Sequence, residues 1–339
     1  MKKHIFVLLL AALLLTGCSI PSQKEPQRYT ATFLDVFDTV TTIVGFAESE
    51  AVFTQQAQAI HDELLHYHQL FDIYKEHDGI VNLKNVNDAA GGDPVKVDKA
   101  IIELLKSCKE YYALTVGKVN AAMGSVLRLW HDARSDAYDD PVNAYLPDQT
   151  KLEEAAQHTD FDAVILDEVN STVRIEDPAL RLDVGAIAKG WATQRAAEHA
   201  PAGMLISVGG NVCATGPKNG GSPWVVGIQN PDGGDYLHTV YVKTGCVVTS
   251  GDYQRTYPVD GRFYHHIIDP VTLYPSEYFR SVTILCGDSG LADALSTALF
   301  VMPLEEGRAL AERCGVEAMW VLPDGTKAYT PGFEAVIRT

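Results

Sequence analysis

The chain is poor in basic charge: its 339 residues carry 27 Lys and Arg against 44 Asp and Glu, a net charge of −17. A polyanion such as nucleic acid, or an anionic lipid surface, is disfavoured as a partner by that field. Cysteine is sparse and unpatterned. Six are present with no C-x-x-C spacing, which points neither to a zinc site nor to a full disulfide framework. No internal repeat and no low-complexity tract occurs. The P-loop pattern G-x-x-x-x-G-K-S/T is missing, and no G-x-G-x-x-G follows a strand, which argues against a standard NTPase and against a Rossmann dinucleotide site.

The N-terminus is sharply patterned. "MKKHIFVLLLAALLLTGCSI" has two lysines, a short apolar run and small residues before a cysteine, the build of a secretory signal. Its end, "LLTGC", resembles the bacterial lipobox, which implies cleavage before Cys18 and acylation of that residue. The expected organisation is a lipoprotein signal at 1–17, a lipidated polar tether at 18–30, and a domain at 31–339. Loss of Lys2 and Lys3 with the signal takes the charge from −17 to −19. An anionic ligand would then need a local positive device. A mature length of roughly 320 residues allows one elaborated domain or two intimately packed lobes. Cys108, Cys213, Cys246, Cys286 and Cys314 remain, and are expected as small buried hydrophobes.

Along the chain, "DVFDTVTTIVGF" reads as a strand, and residues 50–70 carry apolar positions at helical spacing. His61, His66 and His68 do not share one face of that helix, so a metal site there is not expected. "VDKAIIELLKSCKEYYALT" reads as a helix capped by Asp98, and "FDAVILDEVNSTVRIED" as a hairpin. Short strands follow: "GMLISVGG", "WVVGIQN", "HTVYVKTGCVVTS", "RFYHHIID" and "RSVTILCG". Two helices, "DSGLADALSTALFVM" and "PLEEGRALAERCG", precede a last strand, "EAMWVLPDG". Strands in runs and helices in blocks imply an α+β fold with a mixed or antiparallel sheet.

Four stretches place polar groups in apolar surroundings. In "RLDVGAIAKGWATQ", Asp183 and Lys189 sit among small apolar residues, followed by Gly185 and Gly190 respectively, at the start of a helix. Such a turn can hold a phosphate, or its glycines can simply permit close packing. Asp293 and Thr297 are i and i+4 in "LADALSTALFVM". Together they present hard oxygens to one side, as Mg²⁺ requires; separately they are a carboxylate near a helix dipole and a hydroxyl bonded to its own helix. In "YHHIIDPVTLYP", His265 and His266 alternate across a strand, so one of them can enter a site, either as a proton carrier oriented by Asp269 or as half of a structural pair. Gly209-Gly210-Asn211 and Thr249-Ser250-Gly251 read as turns suited to backbone contact with a bulky polar ligand.

In this order the motifs D-x-G-x-I-A-K-G, S-V-G-G-N, T-S-G-D-Y, H-H-I-I-D-P-x-T-x-x-P and A-D-A-L-S-T-A-L-F resemble the ApbE family of flavin transferases, over essentially the whole chain after the tether. The resemblance implies a T-fold-like arrangement of largely antiparallel sheets with packed helices. It also implies an FAD:protein FMN transferase, moving FMN from FAD to a threonine or serine hydroxyl of a partner protein with Mg²⁺ and releasing AMP. On the matching positions, Asp183 and Lys189 are flavin-binding, the Ala186 carbonyl, Asp293 and Thr297 are magnesium ligands, and His266 is the acid/base. Tyr74 is an aromatic against the flavin, Ile267 lies on the nucleotide wall, and Ala122, Met123 and Gly124 form a further flavin-contacting turn. Two departures stand out: Phe37 replaces the methionine of an early M-G-T, so the resemblance passes that flavin contact to Phe37, and Ser296 stands where some relatives carry a second aspartate. Acceptors implied by analogy are flavoprotein subunits of membrane electron-transfer complexes, met on the extracytoplasmic face of the cytoplasmic membrane. With water as acceptor the same site would be an FAD pyrophosphatase. A non-catalytic flavin-binding lipoprotein would have no use for Asp293, Thr297 and a proton-carrying histidine together.

Overall fold

Residues 25–338 are described by a computed structural model. Strands β1 (Gln27–Val36) and β2 (Thr39–Ala47) pair antiparallel about the turn Phe37-Asp38. Both turn residues have positive φ, 53° and 51°, a left-handed pair whose twist suits a tight hairpin. The stretch read as one strand is therefore the end of β1, a turn and β2. Gln27–Thr30, expected in the tether, belong to the sheet, because their backbone groups pair with Val44–Ala47. The signal, Cys18 and the rest of the tether up to residue 24 lie outside the described residues.

Three small strand groups flank the main sheet: β3 (Val95–Lys96) with the hairpin of β4 (Val164–Asp167) and β5 (Thr172–Ile175), the pair β8 (Trp224–Ile228) and β9 (His238–Val242), and the pair β11 (Tyr257–Val259) and β12 (Arg262–Tyr264). The main sheet adds β6 (Leu205–Val208), β7 (Asn211–Ala214), β10 (Gly245–Gly251), β13 (Ser281–Cys286), β14 (Glu317–Val321) and β15 (Lys327–Tyr329) in the order β1-β2-β6-β7-β10-β13-β14-β15. Every neighbouring pair in it is antiparallel. The helices are α1 (Glu50–Phe71), α2 (Leu83–Asp88), α3 (Lys99–Leu114), α4 (Gly124–Asp139), α5 (Gln149–Ala156), α6 (Ala188–His199), α7 (Ser289–Phe300), α8 (Leu304–Cys314) and α9 (Pro331–Glu334). The α+β expectation holds, and Asp98 caps α3 by accepting from the Ala100 amide.

Period-two alternation divides the sheet between two cores. Ile43, Ile206, Val248 and Ile284 face the larger one, shared with α1, α3, α6 and α7. Val44, Val247 and Met319 face the second, closed by β8 and β9. A third cluster holds α4 and α5 against β11 and residues 268–273 through Met123, Val126, Trp130, Leu152, Tyr257, Ile268 and Leu273. The Trp130 indole N–H donates to the Leu273 carbonyl at 2.9 Å and ties α4 to that loop.

Other expectations change in detail. "HTVYVKTGCVVTS" is two strands in different sheets, β9 and β10. Thr249-Ser250-Gly251 is not a turn but the end of β10, in register with Ser281–Thr283 of β13. The strand in "RFYHHIID" stops at Tyr264, so His265 and His266 lie in a loop. Cys213 and Cys246, direct partners across β7 and β10, form a disulfide. Of the remaining thiols Cys108 is buried, while Cys286 and Cys314 are half-buried.

Candidate active site

The turn before α6 is locked to the start of α4. The Asp183 amide donates to the Ala121 carbonyl at 2.8 Å, the Gly124 amide donates to the Arg181 carbonyl at 2.9 Å, and Met123 bridges Arg181 in parallel. Ala122–Gly124 and Asp183 are thereby held side by side. A β-carbon on Gly124 would stand 2.5 Å from the Arg181 carbonyl oxygen, so glycine is needed there for backbone approach. The Asp183 carboxylate accepts from the Gly185 amide at 2.8 Å. Its pKa is raised above the ordinary carboxylate value by burial, against the pull of that amide and of Arg255, His131 and Arg134.

Gly190 answers to both readings of its stretch. A β-carbon there would run into the Ser289 carbonyl and the Asp293 β-carbon, so glycine lets α6 and α7 touch. Its amide donates to Asp293 Oδ2 at 2.8 Å instead of to Ala186, four residues back. The Ala186 carbonyl consequently receives no hydrogen bond among the described residues. Asp293 is 4% exposed, on a helix buried on nearly every side, and Lys189 Nζ lies 3.7 Å from the same Oδ2. One turn on, Thr297 is half-buried, and among the described residues its hydroxyl makes no hydrogen bond, not even to its own helix. Ser296 is committed elsewhere: its hydroxyl donates to the Asp293 carbonyl at 2.9 Å and meets the Ser250 hydroxyl at 2.7 Å.

This donor set fits a hard cation: one carboxylate, one hydroxyl and one carbonyl left free by the diverted amide. Among the described residues no three His, Cys, Asp or Glu side chains gather into a metal cage. A cation held here would therefore share its remaining positions with water or ligand oxygens, as Mg²⁺ commonly does.

The two histidines differ in what they have left to give. His265 Nε2 faces the Ser276 carbonyl at 2.9 Å and its Nδ1 accepts from the Ile267 amide, so both nitrogens are committed. His266 Nδ1 lies 3.2 Å from the Gln254 carbonyl. A carbonyl can only accept, so Nδ1 carries the proton and Nε2 keeps its lone pair. Burial, followed by the charge of Arg255, His265, Arg134 and Lys189, pushes the His266 pKa down to about 3. The ring is neutral. Ile267 is buried in the hairpin that returns at Ser276. Asp269 does not reach a histidine in this arrangement: it pairs with Lys118 at 3.4 Å and accepts from the Val271 amide.

Aromatic groups stand at the other end of the site. Tyr74 stacks on His131 with ring centroids 4.5 Å apart, and its charge environment includes Asp183, Arg134 and Arg255. Phe37 is tied to α1: its amide donates to His68 Nδ1 at 3.3 Å and its ring meets His68 edge-on at 5.5 Å. An aromatic residue with φ of 53° is strained, which pins the β1–β2 turn. Gly209 (φ 60°) and Gly210 make the turn between β6 and β7, and the Gly210 carbonyl accepts from the Thr249 amide. Sequence reading missed His131, Arg134 and Arg255. The i, i+3 spacing of His131 and Arg134 just beyond Met123-Gly124 was the available signal.

A model of the ApbE family matches residues 37–320. The chain is 36% identical to the FAD:protein FMN transferase of Treponema pallidum, covering 71% of each chain. It is 30% identical to an FAD:protein FMN transferase of Klebsiella pneumoniae, over 77% of this chain and 83% of that one. Among solved structures it is similar to the ApbE protein of Thermotoga maritima, with TM-score 0.83 and 33% identity, covering 92% of this chain and all (100%) of the other. The fold is also that of the flavin transferase ApbE of Vibrio cholerae, with TM-score 0.76 at 22% identity.

Proposed function

The chain belongs to the ApbE family and is a flavin transferase, an FAD:protein FMN transferase, and from that premise we propose that it moves FMN from FAD to a Thr or Ser hydroxyl of an acceptor protein, with Mg²⁺ bound and AMP released. The α6–α7 junction carries this reading: a diverted Gly190 amide frees the Ala186 carbonyl beside Asp293 and Thr297. Asp293, Thr297 and the Ala186 carbonyl would hold Mg²⁺, which would supply positive charge where the leaving AMP gains negative charge.

In the proposed reaction, a bond forms between the acceptor oxygen and the FMN phosphorus, and the bond from that phosphorus to the bridging oxygen breaks. His266 Nε2 takes the hydroxyl proton. Its low basicity comes first from burial and then from the charge of Arg255, His265, Arg134 and Lys189, and a bound pyrophosphate would offset the cationic part of that charge. Lys189 binds the pyrophosphate as a mobile point charge. Asp183, fixed through Gly185, orients the nucleotide, with Ala122–Gly124 alongside, and Tyr74, Phe37 and Ile267 supply apolar wall.

The same proposal places the enzyme outside the cytoplasmic membrane, held by acylated Cys18 through a short tether, where flavoprotein subunits of electron-transfer complexes are its acceptors. The test is incubation of the protein with FAD, Mg²⁺ and a purified acceptor subunit, reading acceptor mass and AMP together. One AMP per FMN-bearing acceptor is expected, with turnover lost in EDTA and restored by Mg²⁺. FMN and AMP without acceptor adduct would make it a pyrophosphatase.

A further inference from the structure

Tyr74 is held from three sides. Its amide donates to Asp72 Oδ1 at 2.7 Å, and Asp72 is itself fixed by the Lys75 amide and His77. Its ring lies on the His131 imidazole at an interplanar angle of 24°. Its hydroxyl reaches His131 Nδ1 at 3.3 Å, and Arg134 Nη2 reaches that same nitrogen at 3.2 Å.

The shared nitrogen fixes the chemistry. A guanidinium only donates, so Nδ1 must hold the lone pair and Nε2 the proton, and the phenol donates as well. The imidazole is neutral. Burial and then Arg134 lower its pKa, and the charged groups around it are Arg134, Asp132, Asp183 and Arg128. An imidazolium would lose both hydrogen bonds and face Arg134 directly. Arg134 makes no ion pair with a carboxylate among the described residues, and His131 is its one side-chain partner there. Tyr74 nevertheless remains 45% exposed although the His131 imidazole stacks on its ring.

We propose that His131, locked by Arg134, is a positioning residue that sets the Tyr74 ring as a flat wall for the isoalloxazine of FAD. This rests on the reading that Tyr74 faces the flavin. A tyrosine free to rotate would have to be ordered on binding, and backing by a second fixed plate removes that requirement.

The test titrates FAD against the full chain, following flavin fluorescence, for Tyr74→Ala, His131→Ala and His131→Phe, with melting temperature as the folding control. Expected are an FAD affinity about tenfold weaker and a smaller stacking quench in His131→Ala. His131→Phe, which keeps the plate and loses the hydrogen bonds, should recover affinity to within about threefold of the wild type and restore the quench. If Tyr74→Ala weakens binding while His131→Ala matches the wild type in affinity and quench, the positioning role is wrong and the flavin-facing reading stands. If Tyr74→Ala itself binds FAD normally, the reading beneath it fails. Should His131→Ala not fold, His131→Phe decides: a folded variant with wild-type melting but no quench overturns the plate.

Discussion

At the α6–α7 junction Asp293 is 4% exposed and bonded to a backbone amide, whereas across the same site Tyr74 is 45% exposed and held by another side chain. The first end is made by backbone approach: Gly190 admits α7, and its amide, diverted to Asp293, leaves the Ala186 carbonyl without a hydrogen bond among the described residues. The second end is made by stacked rings at the surface. Charge transfer chemistry needs preorganised groups that do not relax, which packed helices provide. Recognition of a large flat ligand tolerates a wall that is set by side chains alone.

Substitutions at the junction should therefore be severe, and the first tests it directly. Asp293→Asn keeps the shape but removes the charge; turnover should fall by about a hundredfold or more with little change in melting temperature. Steady-state rates over a Mg²⁺ series check it, and a wild-type rate at low Mg²⁺ would remove Asp293 from the ligand set. Gly190→Ala should lower activity comparably but for another reason. Its methyl drives α6 from Ser289 and Asp293, so stability should drop by about 1–3 kcal/mol as well, read by denaturant unfolding.

Between the two ends lie the histidines. His266→Ala should bind FAD within a few-fold of wild type yet transfer about a hundredfold or more slowly in single turnover. His265→Ala should instead lose about 1–3 kcal/mol of stability, since both of its ring nitrogens are bonded and their partners would be left unpaired. A reversed outcome would move the site to the other side of this loop.

The smallest effect is one of pH at Asp183. Its folded pKa is raised, so the folded state holds a proton that the unfolded state releases as pH climbs past the ordinary carboxylate value of 3.8. The native state is thus penalised above that value and not below it. Asp183→Asn should raise the melting temperature by about 1–2 °C at pH 7 and leave it unchanged near pH 3. A variant that melts lower at pH 7 would mean that the carboxylate is a net stabilising partner of Gly185 and the nearby arginines.

How much of this was legible varies by residue for a physical reason. Asp293 and Thr297 stood out because they set two hard oxygens one turn apart on a largely apolar helix, and polar groups on such a helix need partners. Gly190 and Lys189 stood out as a turn built for an anion or for packing, and the fold uses the glycine for packing and for the amide bond to Asp293. His131, Arg134 and Arg255 did not stand out, because each is an ordinary polar residue until a partner distant in sequence comes beside it. Local patterning failed elsewhere as well: the Phe37-Asp38 turn lacked the usual glycine, Thr249–Gly251 looked like a turn until β13 paired with it, and the strand read through His265 and His266 ends at Tyr264.

By itself the sequence determined most of the element types, the α+β class and the family's motifs, since side-chain periodicity and turn chemistry act within a few residues. Tertiary structure alone decided which ring nitrogen of His266 is free, which carbonyl lost its amide, that Cys213 meets Cys246, and that Tyr74 rests on a neutral imidazole 57 positions away. Each of these depends on hydrogen-bond geometry between elements distant in the chain. Direction and distance at that scale are set by packing, which no local run of residues contains.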